Sequence, residues 1–445
     1  MIEKVLKYFN LISQCPRSSG NEEKVANFLV DFAKVHNFEY YKDNYNNVLI
    51  KKIGKKEPII LQSHTDMVCV SEPDYQIDFL TDSIKTIIDG DYLSAYKTSL
   101  GADNGIGVAI ILSLLDDDND YSIEALFTTD EEVTMTGALN FDYSKLTSKK
   151  LISLDGMSDE ELINGCASIC DMKINFTPNF TQKDKQGYKL IVKGLKGGHS
   201  GADINKDIGN ANNILVEILS NLTNVELESF EGGNQFNFIA NYATATFISK
   251  DFEEKFDKIK NQMINKYPSL VLESEGTQIN KTLSEQDTAK LLCLLNKIKT
   301  GVIVGSNENI VLSQNLSSVS LSKGLIKISQ RGHNEETENE NIENLKSLSQ
   351  KNGFEFKIFD KQNGFEAIKN STLTNDICNS YQKLFNNNLK VINKHISVEA
   401  CIFKQKMEDA DIVIIAPKIL GAHSTKETVY IPSIEKVYKL LQSIL

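Results

Sequence analysis

The stretch Ile59-Ile60-Leu61-Gln62-Ser63-His64-Thr65-Asp66 decides the fold. A short apolar run, residues 59–61, is followed within a few positions by the polar side chains His64 and Asp66. Similar apolar runs occur at residues 125–127, 151–154 and 412–415, and polar residues again follow each of them. Short apolar runs that alternate with helical patterns are typical of parallel strands, so we predict an α/β protein with a mostly parallel sheet.

Helical patterns separate these runs. Apolar residues of the segment 22–36 recur with the spacing of one helix face, which predicts an amphipathic helix, and the apolar segment 105–115 predicts a buried one. From about residue 183 to residue 361 the pattern changes to glycine-rich turns, alternating strands and an acidic helical segment. We therefore predict a discontinuous first domain, residues 1–182 and 362–445, with a separate α+β domain, residues 183–361, inserted into it.

The side chains that follow the four apolar runs are of types that bind metal ions. They are His64, the acidic group Asp130-Glu131-Glu132, Asp155 and His423. Because the carboxyl ends of parallel strands meet at one edge of an open sheet, we expect these residues to lie together. Asp103, at the start of the predicted buried helix, is a further candidate. Any one of them alone would be typical of a solvated turn or a surface histidine.

With one residue taken from each position, they form a ligand set of two imidazoles and three carboxylates. Such a set suits zinc, manganese or cobalt, and with one bridging carboxylate it can hold two ions. The neighbouring carboxylates then acquire roles of their own. Asp66 can accept the second N–H of His64, and Glu131 can act as a general base.

Composition excludes several other classes of protein. The chain has 445 residues, of which 41% are hydrophobic and 24% charged, as in ordinary globular proteins. Its net charge of −12 argues against nucleic acid as a partner. Seven scattered cysteines without a CxxC pair argue against a disulfide framework and favour a reducing compartment. With no secretory signal pattern and no 18-residue apolar run, we expect a cytoplasmic protein with no membrane partner.

Five segments occur in the order found in the M20 metallopeptidases. They are Ser63-His64-Thr65-Asp66-Met67-Val68, Gly101-Ala102-Asp103-Asn104-Gly105-Ile106-Gly107, Thr129-Asp130-Glu131-Glu132, Gly197-Gly198-His199-Ser200-Gly201 and Ala422-His423-Ser424. The chain resembles this family, and within it the aminoacyl-histidine dipeptidase (Xaa-His dipeptidase) branch, nearly from end to end. The resemblance implies a zinc-peptidase catalytic domain, residues 1–182 and 362–445, and a lid, residues 183–361, that binds substrate.

The resemblance also implies a role for each residue of the metal site. Asp103 would bridge two ions, and its peptide bond to Asn104 would be cis. The remaining ligands would be His64 and Asp155 for one ion, and Glu132 and His423 for the other. Asp66 would orient His64, and Glu131 would be the general base.

In the lid, the resemblance implies three residues that act on the substrate. His199 would stabilise the oxyanion, although a histidine in a glycine-rich turn can also be purely structural. Asn237 would contact the substrate, and Arg331 would bind its free carboxylate as a bidentate partner. In the first domain, His395 and Glu399 would line the substrate pocket.

The last of these motifs departs from the family pattern. It reads His395-Ile396-Ser397-Val398-Glu399-Ala400-Cys401, with Ser397 and Ala400 where relatives have glycine. The loop after Asn237 also lacks the basic residue that is typical of relatives. These changes leave the metal set intact, and we expect them to alter which peptides fit.

The sequence thus predicts a two-metal dipeptidase. It would be an exopeptidase that hydrolyses short unblocked peptides, Xaa-His or a broader range, with a metal-activated water and Glu131 as general base. The ions would be two divalent metals, zinc first, with cobalt or manganese as alternatives. A related amidohydrolase (a tripeptidase or an N-acyl amino acid deacylase) and a catalytically silent metal-binding homologue stay open, as do monomer and homodimer.

Overall fold

The computed structural model describes residues 1–366 and 368–445. Its helices are α1 (Ile2–Ser13), α2 (Glu23–Val35), α3 (Ala102–Leu115), α4 (Thr136–Asn140), α5 (Ala211–Ser220), α6 (Phe252–Lys266), α7 (Glu285–Lys297), α8 (Glu335–Lys351), α9 (Thr372–Phe385), α10 (Ala400–Lys406) and α11 (Ile431–Ile444). None of the described helices is long and apolar enough to cross a membrane.

The strands of the described residues follow in chain order. They are β1 (Glu39–Lys42), β2 (Val48–Lys52), β3 (Ile59–His64), β4 (Thr86–Asp89), β5 (Tyr92–Ala95), β6 (Ile123–Thr128), β7 (Lys150–Ser153), β8 (Glu161–Cys166), β9 (Ser168–Asn175), β10 (Phe180–Lys193), β11 (Gly198–His199), β12 (Glu226–Gly232), β13 (Phe238–Ile239), β14 (Ala243–Ile248), β15 (Val271–Leu283), β16 (Gly301–Gly305), β17 (Ile310–Ser320), β18 (Leu325–Gly332), β19 (Glu355–Gln362), β20 (Lys390–Lys394), β21 (Asp411–Ile414), β22 (Ile419–Leu420) and β23 (Thr428–Tyr430).

The chain divides into two compact units. The first comprises Met1–Gly165, Phe365–Lys394 and Val398–Leu445, and the second comprises Cys166–Gly364 and His395–Ser397. The first boundary lies earlier than the predicted 182/183, because β9 pairs with β18 and β19 of the second unit. The short segment His395–Ser397 also belongs to the second unit, although the sequence prediction placed it in the first domain.

The four predicted parallel strands form the middle of the sheet of the first unit. This sheet has the order β1-β2-β6-β3-β7-β21-β8-β20, and the pairs β6–β3, β3–β7 and β7–β21 are parallel. Antiparallel strands are added at both flanks, for example β2 beside β6 and β8 beside β21. The α/β prediction is confirmed. A second, four-stranded sheet in this unit has the order β22-β23-β5-β4.

Helix α3 lies in the core of the first unit. Every residue of α3 is buried, as expected for a helix that is apolar on all sides. The core also contains the apolar faces of α1, α2, α9 and α11, which pack with α3 and the sheet. The predicted helix over residues 22–36 corresponds to α2, whose buried residues recur at helical spacing.

The second unit is built on a nine-stranded sheet. The order is β15-β10-β14-β12-β17-β18-β9-β19, with β16 on β17, and the paired strands run antiparallel. Helices α5 to α8 contribute their apolar faces to its core. Strands β11 and β13 form a separate two-stranded sheet. The predicted α+β class of the inserted segment is confirmed.

Candidate active site

Parallel pairing brings the ends of the central strands of the first unit to one edge. His64, the last residue of β3, is paired with Thr128, the last residue of β6. Gln62 of β3 is paired with Ser153, the last residue of β7. The acidic residues predicted as ligands follow directly after these strand ends, so the structure brings them to the same edge, as open parallel sheets predict.

Two groups of three side chains could each hold a metal ion. The first group is His64, Glu131 and Asp155, and the second is His64, Asp103 and Glu132. In each group the ligand atoms lie within 4.8 Å of one another. Nitrogen and carboxylate oxygen at this spacing are a donor set that suits zinc and other divalent first-row ions.

The Asp103 carboxylate lies between the two predicted histidine ligands. Its Oδ1 is 3.2 Å from Nε2 of His64, and its Oδ2 is 3.2 Å from Nε2 of His423. His423 also approaches Oε1 of Glu132 at 3.0 Å. The peptide bond between Asp103 and Asn104 is cis, as the resemblance implies. One carboxylate with an imidazole on each oxygen is the arrangement expected of a bridging ligand.

The cluster carries more negative charge than its two imidazoles balance. Burial and the nearby Asp155 carboxylate raise the pKa of Glu131 well above its usual range, and burial raises the pKa of Asp155 to about 7. Hydrogen bonds to Asp103 and then Glu132 raise the pKa of His423 to about 10. Divalent cations would neutralise this surplus, so the residues present fit a pair of metal ions.

The Asp66 carboxylate is fully buried and contacts four residues at the site. Its Oδ1 lies 3.3 Å from Nδ1 of His64 and accepts the backbone N–H of Glu131 at 3.1 Å. Its Oδ2 accepts the backbone N–H of Glu132 at 3.2 Å and the hydroxyl of Ser19 at 2.8 Å. The carboxylate beside Nδ1 of His64 favours a proton on that nitrogen, and Nε2 faces Asp103.

A segment near the N-terminus, residues 17–22, supports the same loops. Glu22 is 3% exposed, and its Oε1 accepts the backbone N–H of Asp130 at 3.0 Å. Asp130 has a positive φ of 57°, at the start of the turn that carries Glu131. Together with Ser19 on Asp66, Glu22 fixes the backbone of this turn.

Glu131 lies beside the position where His64 and Asp155 could hold a metal ion. Its Oε2 lies 4.0 Å from Nε2 of His64, and its side chain is 12% exposed. Glu131 therefore lies at the rim of the candidate cation site, beside one of its proposed ligands.

In the second unit, the environment of His199 fixes its tautomer. The backbone N–H groups of Gly201 and Ala202 both donate to Nδ1 of His199, at 3.0 and 3.1 Å. Burial, followed by the Arg331 guanidinium, lowers the pKa of His199 to about 4. His199 is therefore neutral above pH 4 with its proton on Nε2, which makes Nε2 a hydrogen-bond donor.

Three more predicted substrate residues lie in the second unit with His199. Asn237 is exposed, and its backbone carbonyl accepts the N–H of Ser200 at 2.8 Å, next to the β11–β13 pair. Arg331 is 5% exposed near the end of β18. His395 contacts the hydroxyl of Ser313 through Nε2 at 2.7 Å. Burial and then the neighbouring His333 and Arg331 lower the pKa of His395 to about 3.

Glu399 is a buried carboxylate of the first unit, and its predicted place in a substrate pocket stays a prediction. It is 1% exposed, and its Oε2 accepts hydrogen bonds from Gln62 at 2.6 Å and Thr128 at 2.7 Å. Burial raises its pKa to about 8. His395 belongs to the second unit and Glu399 to the first. Glu399 is an internal hydrogen-bond acceptor that joins β3 to β6.

Sequence reasoning missed several supporting residues. Their common property is a buried polar side chain that bonds a site residue or its loop, and they are Glu22, Gln62, Thr128, Ser313 and Glu427. The scarcity of arginine, with only two in the chain, marks Arg17 in the sequence as a candidate for a role that needs a fork of donors. For Gln62, the signal was a polar residue at the end of an apolar run within a predicted strand.

Comparison with known proteins gives matches along almost the whole chain. The model of peptidase family M20/M25/M40 matches residues 60–445. The cytosol non-specific dipeptidase of Escherichia coli (strain K12) is 31% identical, over 98% of this chain and 96% of that protein.

Solved structures agree with this match. The aminoacylhistidine dipeptidase of Vibrio alginolyticus has a TM-score of 0.86 at 26% identity, covering 99% of this chain and 96% of that chain. A tripeptidase from Staphylococcus aureus shares the fold, with a TM-score of 0.59 at 16% identity over 100% of this chain and 97% of that chain. On the extent of the family match and the identity to the E. coli protein, the chain belongs to peptidase family M20/M25/M40.

Proposed function

We propose that this protein is a two-metal dipeptidase that hydrolyses the peptide bond of short unblocked peptides. The observation that carries the proposal is the Asp103 carboxylate, whose two oxygens each lie 3.2 Å from the Nε2 of a different histidine, His64 and His423. A site of this kind holds two ions, one on each side of the shared carboxylate. His64 and Asp155 would hold one ion, and Glu132 and His423 the other.

When bound, two divalent cations would polarise the scissile carbonyl and lower the pKa of water at the site. Glu131 would accept a proton from the attacking water and deliver it to the leaving amine. Asp66 would keep His64 in the tautomer that offers Nε2 to a metal, since it lies beside Nδ1.

We assign substrate binding to residues of the second unit. His199 would donate from Nε2 to the developing oxyanion, because its Nδ1 accepts hydrogen bonds from two backbone N–H groups and the ring proton is therefore on Nε2. Arg331 would bind the free carboxylate of the peptide, and Asn237 and His395 would contact the substrate. These roles are assigned for the substrate-bound enzyme, and residues 183–361 would serve as its lid.

The names of the similar proteins support a dipeptidase over other amidohydrolases. One is called a cytosol non-specific dipeptidase and the other an aminoacylhistidine dipeptidase. We therefore propose dipeptides, Xaa-His among them, as the substrates, zinc as the metal, with cobalt and manganese also accommodated, and the cytoplasm as the location.

The test is an assay of protein reconstituted with Zn²⁺, Co²⁺ or Mn²⁺ against matched panels. The panels are free dipeptides including Xaa-His, the same peptides amidated, tripeptides, and N-acyl amino acids. Selective cleavage of free dipeptides, with two ions bound per chain, supports the proposal. Preference for tripeptides or N-acyl amino acids would instead identify a related amidohydrolase, and binding of two ions without any cleavage would identify a silent homologue.

A further inference from the structure

Glu427 is a buried carboxylate that accepts hydrogen bonds from the turn carrying Asp103. It is 2% exposed. Its Oε2 accepts the backbone N–H groups of Leu100 and Gly101 at 2.8 and 2.9 Å, and its Oε1 accepts that of Asp103 at 3.1 Å. Both carboxylate oxygens are thus engaged with backbone, and the carboxylate is not directed at the ligand cluster. Glu427 follows His423 by four positions, so these bonds join the His423 loop to the Asp103 turn.

Arg17 holds the same turn from the other side. It is 2% exposed, and its Nη1 donates to the backbone carbonyls of Thr65 and Asp66 at 3.0 and 3.1 Å. Its Nη2 donates to the carbonyl of Gly101 at 2.5 Å. One guanidinium thereby joins the loop that follows His64 to the turn that carries Asp103. A fork of fixed donors is needed to reach carbonyls on two loops at once.

The packing around Arg17 leaves no room for a side chain on the turn. Gly101 has a φ of +68°, and a Cβ there would lie 2.4 Å from Nη2 of Arg17. A Cβ on Gly105 would lie 2.6 Å from the same nitrogen. The two glycines let the turn close directly onto the guanidinium.

Both ionisable side chains are satisfied by backbone groups of these loops. Burial lowers the pKa of Arg17, and the Glu427 carboxylate is the largest of the influences that oppose this shift. A buried charged group is tolerated where it is hydrogen-bonded, and Arg17 and Glu427 each make three hydrogen bonds to the backbone.

We propose that Glu427 and Arg17 are positioning residues that aim the Asp103 carboxylate between His64 and His423. The inference rests on the proposed two-metal site and adds two residues that touch neither metal nor substrate. Arg17 ties the turn to the His64 loop, and Glu427 ties it to the His423 loop, so each oxygen of Asp103 faces its own histidine. Loss of the hydrogen bonds of either residue rotates the Asp103 carboxylate, and the affinity for both metal ions falls together.

The experiment compares Glu427→Gln with a matched substitution, Glu124→Gln. Glu124 is also 2% exposed and also accepts backbone N–H groups, those of Thr147 and Ser148 at 3.0 and 3.1 Å. It lies near the start of β6, away from the strand ends that carry the site. Both variants lose one buried carboxylate, so a general loss of stability affects them alike.

The measurement is the dissociation constant of each of the two Zn²⁺ ions, by competition with a chromophoric chelator, alongside kcat and KM for a dipeptide. For Glu427→Gln we expect both dissociation constants to rise by about 10- to 100-fold and kcat to fall in the same range, the size typical of residues that support metal ligands. For Glu124→Gln we expect wild-type metal affinity even where the melting temperature falls.

Unchanged metal affinity in folded Glu427→Gln, or an equal loss in Glu124→Gln, overturns the inference. If Glu427→Gln does not fold, Arg17→Lys decides the question, because it keeps the charge but cannot span the three carbonyls as a fork; unchanged affinity there overturns the inference. A wild-type protein that binds fewer than two ions would refute the proposed function itself, which is a separate and distinguishable result.

Discussion

The carboxylate of Asp66 lies 3.3 Å from Nδ1 of His64 and at the same time accepts the backbone N–H groups of Glu131 and Glu132. One buried side chain therefore orients an imidazole on one strand and the acidic turn after the next strand. A side chain that contacts a metal ligand without binding the metal sets the tautomer of that ligand and the position of the residues next to it.

We predict that Asp66→Asn weakens Zn²⁺ binding and lowers kcat/KM by about 10- to 100-fold. The amide nitrogen of asparagine cannot accept the N–H groups that Asp66 accepts, and it must face either His64 or the turn. Metal titration and steady-state kinetics measure the effect. Asp159→Asn is a matched control, because Asp159 is 8% exposed and pairs with Lys436 at 2.9 Å away from the cluster. Equal metal affinity in the two variants would count against the assignment.

Glu131→Gln should keep the fold and both metal ions but lose about 10²- to 10⁴-fold in kcat, the range supplied by general acid–base catalysis. The amide has nearly the same shape and cannot take a proton from water. Metal content is measured by elemental analysis and turnover with a free dipeptide. The exposed Glu160→Gln serves as the control. Near-normal turnover in Glu131→Gln would refute the mechanism.

Arg331→Ala should raise KM for free dipeptides more than it lowers kcat, because the lost contact is with the carboxylate of the peptide and not with its scissile bond. Amidation of the substrate should reproduce the defect in the wild-type enzyme and add little in the variant. Lys189→Ala, an exposed cation on β10 of the same unit, should have wild-type kinetics. If amidated and free dipeptides were cleaved equally well by the wild type, the role of Arg331 would be wrong.

Asp171→Asn should stabilise the protein at neutral pH. Burial raises the pKa of Asp171 to about 6, above its value in the unfolded chain. The folded protein thus retains a proton that the unfolded chain releases, and the free energy of unfolding falls as pH rises from about 4 to about 6. Two pKa units correspond to about 2 to 3 kcal/mol, which the variant should regain above pH 6.

Thermal unfolding at pH 4.5 and pH 7.5 measures this effect. The melting temperature of Asp171→Asn should exceed that of the wild type by several degrees more at pH 7.5 than at pH 4.5. The exposed Asp257→Asn, on α6 of the same unit, should show no such pH-dependent difference. A constant difference at both pH values would mean that Asp171 is not protonated in the folded protein.

The sequence alone predicts the parallel strands and the edge of the sheet at which the candidate site lies. Apolar runs of three or four residues followed by His64 or Asp155 are local patterns, and the edge follows from a general rule of open sheets. Most of α3 was predictable for the same reason, since residues 105–115 are almost entirely apolar.

Features that depend on distant pairing were not predictable in this way. The boundary at residue 165 follows from the pairing of β9 with β18, which are far apart in the sequence. The burial of Glu399 depends on Gln62 and Thr128, and a motif of seven residues gives no sign of either partner. Long-range hydrogen bonds decide both cases, and local patterns do not record them.

The match to the family model begins at residue 60, yet Arg17, Ser19 and Glu22 lie before it. A shortened protein trimmed to the matched region would keep every proposed metal ligand and lose three of the side chains that hold their loops. Such a fragment would look complete by its ligands and still be a poor enzyme. A survey of related chains that scores only the metal-binding residues would therefore overestimate the number of shortened or recombined proteins that are active.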